Sequence, residues 1–151
     1  MCRKVELRSI DDSNRNRCIA LSVADEQRQF IAANERSLQQ AREDLTVARP
    51  FAIYAGEEIV GFTMFAFDEG CEDPSDRYWL WRFMIDRNLQ GRGYGSAALE
   101  VIISYFREQG ASPIRLSTKE SNTGALALYH KFGFRETGEW NGEEIVLQLE
   151  L

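Results

Sequence analysis

Trp81-Arg82-Phe83-Met84-Ile85-Asp86, then Arg87-Asn88-Leu89, then Gln90-Gly91-Arg92-Gly93-Tyr94-Gly95-Ser96 is the stretch that decides the fold. Its first part belongs to a run from Tyr78 to Asp86 that is aromatic-rich and nearly continuous in apolar character, the pattern of a central strand covered on both faces. Beyond the glycines, Leu99, Ile102, Ile103 and Phe106 recur at helical spacing until Gly110. A buried strand, a glycine turn and an amphipathic helix therefore follow one another. At such a junction the unpaired N–H groups of the helix start and the helix dipole converge on one small volume, which suits an anion. Glycine is needed there because a Cβ would hold the backbone away from phosphate oxygens, and Arg92 adds a mobile positive charge. A glycine-rich connection with no ligand has the same spacing.

Upstream, Lys4 to Ser9 alternates charged and apolar residues like a half-buried strand, and Asp11-Asp12-Ser13 offers helix-capping oxygens. Residues 13–46 read as two helices with a loose joint, the second spanning Glu35 to Leu45 behind Asn34 as its cap. Arg49-Pro50 ends that helix, and Phe51–Ala55 and Ile59–Phe67 form a hairpin about Gly56-Glu57-Glu58. Asp68 to Arg77 carries five carboxylates in ten residues and reads as a solvated loop. Downstream, Ile114–Thr118 is a fifth strand, parallel to the fourth because a helix intervenes. Ala125, Leu128, Tyr129 and Phe132 line one face of a last helix, and Phe134–Glu139 and Glu143–Leu151 close the chain as a hairpin around Asn141-Gly142.

The 151 residues are 44% hydrophobic with only three prolines, which fits one folded domain over 1–151. Eighteen Lys and Arg against 24 Asp and Glu give a net charge of −6. That balance excludes a chain that coats nucleic acid and leaves cationic partners open. Cys2, Cys18 and Cys71 are an odd number without C-x-x-C spacing, and His130 is the single histidine, so no metal site is expected. Reduced thiols in a cytoplasmic protein are the expectation. The charged N-terminus and the lack of any long apolar run predict neither a signal peptide nor a membrane span.

A triphosphatase loop needs Gly-Lys followed by Ser or Thr, which the turn lacks. A dinucleotide fold is met by Gly93, Gly95, Ala98 and Glu120, yet it requires further parallel units where only one helix and a hairpin remain. Gln90-x-x-Gly93-x-Gly95, preceded by Phe83-Met84-Ile85-Asp86 and followed by Asn122, Ala125 and Tyr129-x-x-Phe132-Gly133-Phe134, resembles the GNAT superfamily of N-acetyltransferases. The likeness runs over essentially the whole chain. Within the superfamily the chain is most similar to bacterial spermine/spermidine acetyltransferases.

The resemblance implies an α/β fold of the α+β type: a central mixed, mostly antiparallel sheet with splayed parallel strands 4 and 5, flanked by helices. It implies acetyl-CoA as cosubstrate and no metal. Gln90, Gly91, Arg92, Gly93, Tyr94, Gly95 and Ser96 would hold the pyrophosphate, and the backbone of Phe83, Met84 and Ile85 the pantetheine, with an N–H near Met84 or Ile85 facing the thioester oxygen. Asn122 would both cap its helix and touch the cofactor. Tyr129 would be the general acid. Its unperturbed pKa of about 10 against about 8.5 for a thiol keeps it protonated at neutral pH and able to donate to the departing thiolate. A core tyrosine satisfied by backbone is the competing reading. His130 falls about 100° around the helix from Tyr129 and reads as a surface residue.

For the acceptor, acids gather where the superfamily builds that site: Asp25, Glu26 and Glu35 early, and Asp68, Glu69, Glu72, Asp73 and Asp76 in the loop. Glu26, Glu35 and Asp73, with the Trp81 indole as a cation–π surface, are the candidate substrate residues. A solvated acidic face is the alternative. Some related polyamine enzymes carry carboxylates at the positions of Trp81 or Arg82, so the general base stays unnamed. The expected reaction is direct acetylation of a primary amine, a polyamine first. A protein N-terminus, an antibiotic amine, an amino acid and a non-catalytic CoA-binding module are the alternatives. The expected partner is a small amine rather than nucleic acid or membrane. Superfamily members often dimerise, and the sequence leaves the oligomeric state open.

Overall fold

The computed structural model describes residues 4–19 and 48–151. Cys2 and the helix expected over Glu35–Leu45 lie outside those residues, as do Asp25, Glu26 and Glu35. The elements are β1 (Glu6–Ser9), α1 (Arg15–Ile19), β2 (Ala48–Ala55), β3 (Glu58–Phe67), β4 (Tyr78–Ile85), α2 (Tyr94–Glu108), β5 (Ile114–Thr118), α3 (Thr123–Lys131), β6 (Arg135–Asn141) and β7 (Glu144–Leu149). They form one seven-stranded sheet of order β1-β2-β3-β4-β5-β7-β6, antiparallel at every junction except β4–β5.

β2 begins at Ala48, earlier than the Arg49-Pro50 boundary suggested, and Pro50 pairs with Met64 of β3. Proline is tolerated there because β1 reaches only to Phe51, so among the described residues no strand pairs with Pro50 on that side. β4 carries a bulge: Arg82 pairs with Met64 and Leu80 with Phe65, so Trp81 is the extra residue. The extra residue switches the faces of the strand. Leu80 packs with Phe65 under α2, whereas Trp81 joins Met84 in the cluster that holds Cys18 of α1.

The larger core lies between the sheet and α2 with α3. Leu99, Ile102, Ile103 and Phe106 of α2 meet Phe65, Phe67, Leu80, Ile114, Leu116 and Leu147. Burying a side chain of this size stabilises by about 1.5–3 kcal/mol. On the other face, Ala52, Tyr54, Phe62, Met64 and Met84 pack with Cys18, whose thiol burial pushes up to about 12. Such a thiol is a core hydrophobe with no nucleophilic role. Among the described residues no helix is long and apolar enough to cross a membrane.

β4 and β5 pair at one place, Trp79 with Arg115. Beyond it β4 runs on to Ile85 and β5 to Thr118 without pairing to each other, which is the splay expected between the parallel strands.

Candidate active site

At the far end of β4 the chain makes a single turn of 3₁₀ helix, Arg87–Leu89, and enters the glycines. Gly91 and Gly93 have φ of 78° and 87°, a region that an L side chain rarely adopts. Gly93 is the N-cap of α2 and contributes no side chain, and its carbonyl accepts the Ala97 N–H at 3.1 Å. The N–H groups of Gly93, Gly95 and Ser96 therefore precede the first intrahelical hydrogen bond of α2. No acidic residue stands in the first turn to fill that place. A fifteen-residue helix with this end open and Arg92 exposed beside it fits a diphosphate.

Two details differ from the sequence reading. Tyr94, Gly95 and Ser96 belong to the first helical turn, with the Tyr94 ring packed among Ile53, Val60, Ile85 and Ala98. A Cβ on Gly95 would sit 3.7 Å from Leu128 Cδ2, ordinary contact, so space alone does not demand glycine there. Gln90, expected at the cofactor, donates its Nε2–H to the Ile85 carbonyl at 2.9 Å and ties the turn back to the end of β4.

The backbone of β4 divides by alternation. Asp86 N–H donates to the Val60 carbonyl at 2.8 Å. Carried back along the antiparallel register, that bond turns the polar backbone groups of Met84 toward β3 and those of Phe83 and Ile85 toward the opening. Of the three residues expected to meet pantetheine, Met84 thus presents its backbone away from the site. With the Ile85 carbonyl taken by Gln90, the groups facing the opening are the N–H groups of Phe83 and Ile85 and the carbonyl of Phe83.

Tyr129 projects from α3 into the main core, with its ring edge-on to Phe134 at 5.8 Å. Burial drives its phenol above the ordinary tyrosine range, and the Glu144 carboxylate adds to the effect. The group is a proton donor at every physiological pH. Asn122 occupies the N-cap position of α3 without capping it. Its backbone, at φ −82° and ψ 68°, is not the extended conformation that aims a side chain at the helix N–H groups. Its Nδ2 instead reaches Thr118 Oγ1 on β5 at 3.3 Å. His130 is exposed and meets Glu136 at 2.9 Å, as a surface residue.

On the sheet face opposite α2 lies a cavity of about 380 Å³. Three indoles, Trp79, Trp81 and Trp140, and two carboxylates, Asp76 and Glu139, contribute to its walls. Arg115, its side chain 9% exposed, spans the two acids at 3.1 Å and 2.8 Å and bonds Gln148 at 2.8 Å through Nε. Two carboxylates against one guanidinium leave the wall with one net negative charge. Trp140 is 57% exposed at the rim.

Of the expected acceptor residues, Trp81 lines this cavity, Glu26 and Glu35 lie outside the described residues, and Asp73 is elsewhere. The exposed Asp73 carboxylate accepts from Ser75 Oγ at 2.7 Å and Ser75 N–H at 3.0 Å, capping the short turn Pro74–Asp76. Those two bonds hold its carboxyl below the usual range. Asp76 is the loop acid that reaches the cavity. Trp79, Arg115, Glu139 and Trp140 were not singled out by sequence reasoning. The available signals were a charge at Arg115 between Ile114 and Leu116 and a Glu-Trp pair just before the Asn141-Gly142 turn.

Residues 16–134 match the Acetyltransferase (GNAT) family. The chain is 34% identical over 149 residues to the spermine/spermidine N(1)-acetyltransferase of Bacillus subtilis, covering 95% of this chain and 97% of that one. Its fold is similar to a crystal structure of an acetyltransferase from Thermus thermophilus (TM-score 0.72, 19% identity, 100% of both chains). It is also similar to an acetyltransferase of Bacillus subtilis solved in complex with CoA (TM-score 0.68, 19% identity, 98% of both chains). The two structures speak for the fold alone, a mixed sheet opened between its parallel strands. Match and fold together place the chain in the GNAT family of acetyltransferases.

Proposed function

We propose that the protein moves the acetyl group of acetyl-CoA to a primary amine of a small cationic acceptor, a polyamine of the spermine/spermidine kind, with both substrates bound together. The observation that carries this reading is the opening between β4 and β5. It has the uncapped start of α2 on one face of the sheet and a cavity of three indoles and a net negative charge on the other. Acetyl-CoA supplies the acetyl group as a thioester. The N–H groups from Gly91 to Ser96 and the Arg92 guanidinium bind the diphosphate. Phe83 and Ile85 hydrogen-bond the pantetheine amides as an added strand edge, and one of their N–H groups stabilises the charge that grows on the thioester oxygen. Asn122, tied to Thr118 at the end of β5, borders the same channel.

Tyr129 gives its proton to the departing sulfur. Its raised pKa keeps the phenol neutral and so able to donate to the sulfur. On the acceptor side, Trp79 and Trp140 give aromatic surface for an alkylammonium beside Trp81, over whose ring the Arg82 guanidinium lies at 5.2 Å, and Asp76 and Glu139 supply the charge that draws it in. The likeness to the Bacillus subtilis spermine/spermidine acetyltransferase supports a polyamine as the acceptor. Thiol release measured with spermine, spermidine, an N-terminal peptide, an aminoglycoside and free amino acids tests the reading. Fastest release with a polyamine is the expected result. Release with another amine alone reassigns the acceptor, and CoA binding without release from any of them makes the protein a binding module.

A further inference from the structure

The acceptor ammonium must lose a proton before it can attack, and the sequence names no group to take it. Among the walls of the cavity, Ser117 stands apart because its hydroxyl already donates to a carboxylate, Glu144 Oε1, at 2.8 Å. Ser117 lies two residues beyond Arg115 on β5, past the last pairing with β4, and so at the edge of the opening. Asn141 Nδ2 donates to the same Ser117 oxygen at 3.4 Å, which orients the hydroxyl proton toward Glu144. Both Ser117 and Glu144 are half-buried.

The other cavity acids are less suited to the task. Asp76 and Glu139 both spend a carboxylate oxygen on Arg115. The ionisable groups around the pair are Arg115 and Lys119 to either side of Ser117 on the β5 segment, Glu139 on β6, Glu143 beside Glu144, and Tyr129 of α3, whose phenol responds to the Glu144 charge.

We propose that Ser117 and Glu144 form a proton relay for the acceptor: Ser117 Oγ takes a proton from the bound ammonium as it passes its own to the Glu144 carboxylate. The balance is complete. The ammonium becomes a neutral amine, the serine hydroxyl is regenerated and the carboxylate becomes a carboxylic acid that returns its proton to solvent. The freed lone pair forms the N–C bond as the C–S bond breaks, Tyr129 protonates the sulfur, and the second proton, which the nitrogen sheds on becoming an amide, restores the phenol by way of solvent. Ser117 touches the substrate, and Glu144 acts through it as a positioning residue. This inference rests on the cavity being the acceptor site.

The test is the pH profile of kcat/KM for Ser117→Ala and Glu144→Gln, using the amine with the highest turnover from the acceptor panel. At pH 7 each variant is expected to fall by on the order of 10²-fold, the usual range for removing a general base. Its KM for acetyl-CoA should stay unchanged. The deficit should then shrink steadily as pH rises and be gone by the amine pKa of about 10.4, where solvent has already removed the proton. A deficit that is the same at every pH, or no deficit, overturns the relay. Ser117→Thr keeps a hydroxyl and should restore most of the activity; failure to do so when Ser117→Ala is folded and impaired also counts against it. Trp140→Ala separates the two readings. An unchanged amine KM in that variant sinks the acceptor cavity, whereas a raised KM with flat Ser117→Ala profiles sinks the relay alone. Absence of turnover with every amine overturns both.

Discussion

The two faces of the opening between β4 and β5 are built from different materials. On the α2 face the candidate binding groups are main-chain amides, fixed by two positive-φ glycines and by Gln90 holding the Ile85 carbonyl. On the cavity face they are side chains brought from β4, β5, β6 and the loop before β4, held together by Arg115. A ligand gripped by backbone is insensitive to most substitutions, since every residue carries an N–H. A ligand gripped by indoles and acids depends on which side chains are present. The first face suits a donor used without variation, and the second is where a family can change its acceptor.

The largest effect that would sharpen this contrast is at Gly93. Gly93→Val forces a β-branched residue into φ near 87° and a Cβ into the diphosphate cradle. Each hydrogen bond to a charged group is worth about 1.5–3 kcal/mol. Displacing two of them should weaken CoA by about 10²- to 10⁴-fold in calorimetry, with the fold confirmed by circular dichroism. Undiminished CoA affinity in a folded variant would break the comparison at its donor side.

Tyr129→Phe should lower kcat by about 10²-fold while CoA affinity stays as in the wild type. Because burial raises the phenol pKa in the folded protein, the wild-type kcat should show no loss from tyrosine ionisation up to about pH 10, the value for a free tyrosine. A decline centred below that pH, absent in the Phe variant, would contradict the environment described. The raised pKa also has a consequence for stability. Above about pH 10 the unfolded chain ionises this tyrosine first, so stability should fall as pH rises, and less so in Tyr129→Phe.

Effects on the cavity face should be smaller and confined to the acceptor. Trp140→Ala removes the most exposed indole. A loss of about 1–2 kcal/mol of cation–π attraction should raise the amine KM roughly 5- to 30-fold with CoA affinity unchanged. Asp76→Asn should raise the amine KM about threefold, as for a partly exposed charge pair, with the difference fading in high salt.

The donor side was legible in the sequence because it is local. Strand, glycines and helix lie within Tyr78–Phe106, and periodicity and turn chemistry suffice to order them. The splay also followed, through family likeness. The bulge at Trp81 was not legible, since a continuous apolar run shows no break where the faces switch, and strict alternation would have put Trp81 on the same side as Phe83. The cavity was legible in Trp81 and, as one of five loop acids, Asp76. Its acids were sought by local density in Asp68–Asp76, but a carboxylate reaches the site only where a partner such as Arg115 holds it, and that pairing joins residues far apart in the chain. Asp73, in the same loop, spends its oxygens on Ser75.

The central claim is that an amide cradle and an indole cavity open onto the same gap. It is tested most directly by calorimetry of a conjugate in which spermidine is joined to the CoA sulfur through an acetyl bridge. The account predicts binding at least about 10²-fold tighter than CoA alone, from linking two sites that are reached together, and a return to CoA-like affinity in Trp140→Ala. A conjugate that binds the wild-type protein no more tightly than CoA would contradict it.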